Sequence, residues 1–290
     1  MFENIINPKR SERSPWKMLP IGIIYGTLSL ILVHWFFSNH PTLSDASGIL
    51  VVLFGVLFTL PYMYFIIKRE EREDEEIEGF GAVWRHHKDA LHAFIWLFLG
   101  FVIALSFWHL ILENASLMNF QIQTYCQINN PQNIQNCVAN YLPSSDNITG
   151  DSTTKFQFLL KIVENNIGVM IFTLIFSLVF GAGAIFILIW NASVIAAAIG
   201  IFTDYSAGEL LTGLGRYMIH GIPEIAAYFI AALAGGMFGV GFLRHGWPHG
   251  FKDKKFIRVV QNSLLLLFLA IVVVILAGVM EVYLTPQFFG

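Results

Sequence analysis

Long apolar runs alternate with short polar stretches along almost the whole chain. The runs fall at 18–37, 46–67, 93–112, 167–189, 225–243 and 263–280. Each is close to the ~20 residues that a helix needs to cross a hydrocarbon core of ~30 Å. A backbone in lipid must satisfy its own hydrogen bonds, so runs of this length predict spanning helices, six of them at first count. Between the fourth and fifth runs lies 191–219, where only 191–202 is properly apolar. The remainder, TDYSAGELLTGLGRYMI, carries Asp204, Glu209 and Arg216, and it predicts a further crossing of irregular or broken form, fifth in chain order.

Composition agrees with that pattern. At 56% hydrophobic and 13% charged over 290 residues, the chain is too apolar for a soluble domain and reads as an all-α, polytopic membrane helical bundle. The net charge of −3 excludes little, but the placement of the cations is informative. They gather in three groups: Lys9, Arg10, Arg13 and Lys17; Lys68, Arg69, Arg72, Arg85 and Lys88; Arg244, Lys252, Lys254, Lys255 and Arg258. Positive loops face the cytoplasm. All three groups lie inside only if one crossing falls between residues 189 and 225, which gives about seven transmembrane helices, the N-terminus inside and the C-terminus outside. The first run is too long for the apolar part of a signal peptide and lacks a small-residue cleavage site, so it is expected to stay as a span.

The same count places 113–166 on the outer face, and that segment holds both cysteines, Cys126 and Cys137. An oxidising compartment permits a disulfide between them, with a chain-entropy contribution of about 3 kcal/mol. Asn147-Ile148-Thr149 is a glycosylation candidate there, whereas the sequons at Asn114 and Asn191 sit too near the membrane or on the wrong side. On the inner face the run EEREDEEIE at 70–78 reads as a solvated helix extension, with docking of a basic partner as the alternative. Gly79-Phe80-Gly81 then breaks the pattern, and 82–92 reads as an amphipathic approach to the third span. The chain thus divides into a two-span module, 1–78, and a five-span module, 79–290.

Small residues recur four apart at Ala227, Ala231, Gly235 and Gly239, and again at Ala192, Ala196 and Gly200 after Asn191. Such seams allow close helix packing within the bundle or in a homo-oligomer. Just before the first seam stands His220-Gly221-Ile222-Pro223-Glu224. Pro223 suits the first turn of a helix, and Glu224 complements the positive helix end. A carboxylate at the bilayer edge needs a partner. Arg216 is the expected one, paired with Glu224 or Asp204, in a polar intramembrane cluster that also takes in Asn191, Glu209, His220 and Glu281. Asn191 is expected at the inner end of the fourth span, and His109 and Glu113 at the outer interface of the third. The inner histidines His86, His87, His92, His245 and His249 read as solvated, and His220 with Glu224 supplies too few ligands for a metal site.

The chain contains no GxSxG, HExxH, phosphate-cradling glycine loop or CxxC, so no enzymatic activity and no cofactor are expected. Nucleic-acid binding is not indicated either, because the cations lack interleaved aromatics. Asn191 opening a small-residue helix, a Gly-rich polar break, and His220, Gly221 and Glu224 leading into AGGMFGVGFL resemble the stage II sporulation protein M family over about 82–284. The resemblance implies a membrane scaffold; the sporulation member recruits two cell-wall-degrading partners. The expected function is therefore a non-enzymatic scaffold of the cell membrane with membrane or cell-surface protein partners. The alternative is a channel or secondary transporter with a solute path at the broken fifth span, where interrupted helices build solute sites.

Overall fold

A computed structural model describes residues 15–37, 40, 43–74, 80–112, 115–129, 134–141, 155–180, 184–203, 208, 210–246 and 253–289. Among these residues the regular structure is helical throughout. The long helices are α1 (Met18–Phe37), α2 (Ser47–Asp74), α3 (Phe80–Leu112), α6 (Lys155–Phe180), α7 (Ala184–Phe202), α8 (Leu210–Gly241) and α9 (Lys254–Val279). Two short helices, α4 (Asn119–Asn129) and α5 (Ile134–Tyr141), lie between α3 and α6. A π-helical turn, Met280–Leu284, carries α9 into α10 (Thr285–Phe289).

Six helices are long and apolar enough to cross a membrane, and Ile185–Ile201 is a shorter apolar one. The surface agrees: Leu57, Leu264 and Phe268 are each at least 60% exposed although they lie within apolar helices. Water would oppose such a surface, whereas hydrocarbon accepts it.

Packing registers fix the helix directions. Gly22 lies against Leu97 and Gly100, and Gly26 against Phe101 and Ala104, so α1 and α3 run parallel. Gly235 meets Leu174 and Gly239 meets Leu178, which makes α6 and α8 parallel as well. Gly241 faces Val259 while His220 reaches Thr285, so α9 returns antiparallel to α8. Gly55 touches Ile189, and the Gln121 amide joins Gly48 to Ser193, so α7 is antiparallel to α2. Between these layers sit Phe94, Phe101, Tyr228 and Phe229, with Phe94 and Phe229 stacked at 5.1 Å.

Several sequence expectations need correction. The apolar run 167–189 is not one span: α6 begins at Lys155, inside the segment assigned to the outer loop, and ends at Phe180. α7 begins at Ala184, so the run contributes to two helices, and residues 181–183 between them lie outside the described residues. Residues 210–219 open α8 and do not continue a fifth span, and Pro223 lies well inside α8 instead of in its first turn. The ring removes one donor, which packed membrane helices tolerate because neighbouring groups re-satisfy the freed carbonyl. Pro61 is likewise interior to α2. Asn191 is interior to α7 and does not bridge from a helix end; its amide donates to the Ile187 carbonyl at 2.7 Å. His109 is buried at 1% exposure, on the inward face of the final turns of α3. Phe80 and Gly81 lie in the first turn of α3 and so are not part of a break, and Gly79 lies outside the described residues.

The α1–α3 contact depends on missing side chains. A Cβ at Gly22 would land on the Leu97 carbonyl oxygen, and one at Gly100 on that of Leu19. Gly22→Ala and Gly100→Ala are each expected to lower stability by roughly 1–3 kcal/mol, read as a lower unfolding midpoint in detergent. Gly168→Ala, where an added Cβ meets nothing within 4 Å, is expected to leave the midpoint unchanged or raise it.

Candidate functional site

Ionisable side chains concentrate at the two ends of the bundle. At one end α8 brings His220, Glu224 and Tyr228 onto a single face by their spacing of four. The fully buried Tyr228 hydroxyl donates to Glu224 Oε1 at 2.7 Å. Glu281 projects from the π-helical turn after α9, within electrostatic reach of Glu224 and Tyr228. One turn further out His220 Nδ1 and Thr285 Oγ1 are in hydrogen-bond contact at 3.1 Å, and the Tyr217 ring meets His220 edge-on. Glu224 and Glu281 are both half-buried, and two ionised carboxyls there would repel one another.

Sequence reasoning paired Arg216 with Glu224 or Asp204. The Arg216 side chain, Asp204 and Glu209 lie outside the described residues, and the hydrogen-bond partner seen for Glu224 is Tyr228. Ala227, Ala231, Gly235 and Gly239 are buried, and Gly235 and Gly239 seat the backbone of α6 at Leu174 and Leu178. That stretch of the seam is therefore occupied within the chain.

The opposite end holds a second group. Glu70 Oε2 and His87 Nδ1 are 2.5 Å apart, and both side chains are 2% exposed. Glu71 is fully buried and bonded to Arg244, beyond the end of α8. His245 lies 3.6 Å from Asp253, whose carboxylate also caps α9 by accepting from the Lys255 amide at 2.8 Å. Glu70 and Glu71 are thus not a solvated extension of the acidic run: they tie α2 to α3 and to the end of α8, because the bundle supplies a histidine and an arginine for them. His87 is likewise inward-facing. No local pattern signals these pairs, since their members are separated by 17 and 173 positions.

Beside the His220 end, Cys126 and Cys137 form a disulfide that joins α4 to α5, with their Cα atoms 5.7 Å apart. Gln121, on α4 and fully buried, donates to the Gly48 carbonyl at 2.9 Å and to Ser193 Oγ at 3.1 Å. One amide therefore holds the hairpin onto α2 and α7, a role with no signal in the sequence. Asn147 and Glu113 lie outside the described residues.

Fold and site together define a multi-pass helical membrane protein with ionisable groups gathered at both ends of the bundle. The sequence pattern of the stage II sporulation protein M family matches residues 91–286, and the chain belongs to that family. It is also 29% identical over 166 residues to the uncharacterized protein MJ0793 of Methanocaldococcus jannaschii, covering 56% of this chain and 85% of that protein. No solved structure matches the chain.

The buried Glu70–His87 pair gives a direct test. Glu70→Ala leaves His87 without its carboxylate and is expected to cost roughly 3–5 kcal/mol. The double change Glu70→Leu/His87→Leu removes both partners and is expected to recover much of that loss, measured by unfolding in detergent. Tyr228→Phe, which deletes only the hydroxyl donor to Glu224, is expected to cost about 1 kcal/mol in the same measurement.

Proposed function

We propose that this chain is a non-enzymatic scaffold of the cell membrane that recruits membrane or cell-surface proteins through its α4–α5 hairpin. The observation that carries the reading is how the hairpin is held: a disulfide within it and the Gln121 amide beneath it. A segment fixed in this way presents its exposed residues, among them Gln123, Gln127 and Gln135, with little ordering cost when a partner docks. Family membership supports the reading, and so does the start of the family match at 91, beyond α1 and α2, which fits an added two-span module at 1–78. The reading favours the hairpin over Glu70 and Glu71, which are engaged inside the fold.

The topology that goes with this function has seven crossings, the N-terminus inside and the C-terminus outside. The alternating directions of the seven long helices support it. So does the length of α7, whose 19 residues extend about 28 Å, close to a hydrocarbon core. The hairpin then lies in the compartment that oxidises Cys126 and Cys137.

A second reading rests on Glu224 and Glu281. Two carboxyls within reach of one another at the packed contact of α8 and α9 are a feature of proton- or cation-coupled transporters. In proteoliposomes this reading expects Glu224→Gln to change the flux of a transported solute while the protein stays folded; unchanged flux of every tested solute removes it.

A photo-reactive amino acid at Gln123 or Gln135 of the full-length protein, expressed in its source cells, is expected to crosslink a protein partner. Adducts with lipid alone at both positions would overturn the scaffold. For the topology, single cysteines introduced at Gln127 and at Lys255 in a Cys126→Ser/Cys137→Ser background are expected to react with a membrane-impermeant maleimide from opposite sides. Labelling of both from one side would sink the seven-crossing arrangement.

A further inference from the structure

The end of α3 that pairs inward through His87 shows a different face to the outside. At about 100° per residue, Trp84, Arg85, Lys88, His92 and Trp96 fall within a sector of roughly 120°, extending about 18 Å along the helix. Trp84 is 40% and Trp96 37% exposed; Arg85 and His92 are exposed and Lys88 is half-buried. Asp89 borders the sector, and His87 points away from it. The 3₁₀ turn Pro15–Lys17 packs against α3, and its Trp16 and Lys17 are exposed. The parallel register that sets Gly22 against Leu97 brings Lys17 level with the turn after His92.

Among the described residues Lys17, Arg85 and Lys88 make no ion pair, whereas Arg244 at the same end of the bundle is bonded to a buried glutamate. At the depth where the apolar span of α3, His87–Leu112, begins, this face thus carries Arg85 and Lys88 beside Asp89 among the described residues. Further along the same helix the exposed residues become purely apolar, with Phe107 and Ile111 facing outward. Cations flanked by tryptophans at the edge of such a surface match the phosphate layer of a bilayer: the indoles sit at head-group level, the guanidinium offers paired donors, and the acyl chains continue along the apolar face.

We infer that this face of α3 is a binding surface for the phosphate head group of an anionic phospholipid. The surface is separate from the hairpin and from the carboxyls at the opposite end. It requires only that the bundle sits in a bilayer, so it stands or falls independently of the scaffold.

The test is native mass spectrometry of the delipidated full-length protein, titrated with phosphatidylglycerol, with phosphatidylcholine of the same acyl chains, and with inorganic phosphate. The wild type is expected to retain phosphatidylglycerol in preference to phosphatidylcholine. Arg85→Gln/Lys88→Gln is expected to weaken phosphatidylglycerol binding roughly tenfold while the Cys126–Cys137 bridge and the unfolding midpoint stay unchanged. Lys254→Gln/Lys255→Gln removes the same charge from exposed positions on α9 and is expected to change retention less than twofold. Equal losses in the two double variants, unchanged retention in Arg85→Gln/Lys88→Gln, or displacement of the lipid by inorganic phosphate would each overturn the assignment.

Discussion

Close backbone approach between helices is the constraint on which this bundle depends. Inside hydrocarbon no hydrophobic force draws one apolar helix to another, so contact area and interhelical hydrogen bonds must hold the bundle together. The chain meets that requirement at two glycine contacts. Gly22, Gly26 and Gly100 bring α1 onto α3, and Gly235 and Gly239 bring α8 onto α6. Both are contacts between parallel helices that are not neighbours in sequence, so each locks together elements that the chain order would otherwise leave apart. Between them the aromatic layer of Phe94, Phe101 and Phe229 fills the remaining volume.

Polar contacts then act at the ends of that packed body. The Glu70–His87 and Glu71–Arg244 pairs join α2, α3 and the end of α8, and a buried pair of this kind is costly to leave half-made. At the other end the Tyr228 hydroxyl, Glu224, Glu281, His220 and Thr285 link α8 with the continuation of α9. The π-helical turn at Met280–Leu284 lies in this second group, and such turns are frequent where a helix serves a function beyond packing. The same end carries the disulfide-bridged hairpin, seated by a single glutamine amide. Packing, polar closure and a presented surface thus come in layers along the bundle axis, which is the arrangement the scaffold reading requires.

Composition and the length of the apolar runs were sufficient to determine that this chain is an all-helical, membrane-spanning protein, because the hydrocarbon thickness sets a run length that no local detail alters. The family was also legible, from Asn191 and from His220, Gly221 and Glu224, and so was the pairing of the two cysteines, placed together in one polar segment. The residues that organise the bundle were not. Apolar periodicity cannot say where one helix stops inside a continuous run, so the end of α6 at Phe180 and the start of α8 at Leu210 emerged only from the fold. Gly22 and Gly26 stand four apart in the sequence, but a small-residue spacing does not name its partner helix. An acidic run looks solvated until tertiary packing supplies His87 and Arg244 to Glu70 and Glu71. Local pattern determines which segments enter the membrane; contacts between residues far apart in sequence decide which faces meet and which charges are buried, and only the tertiary structure holds those.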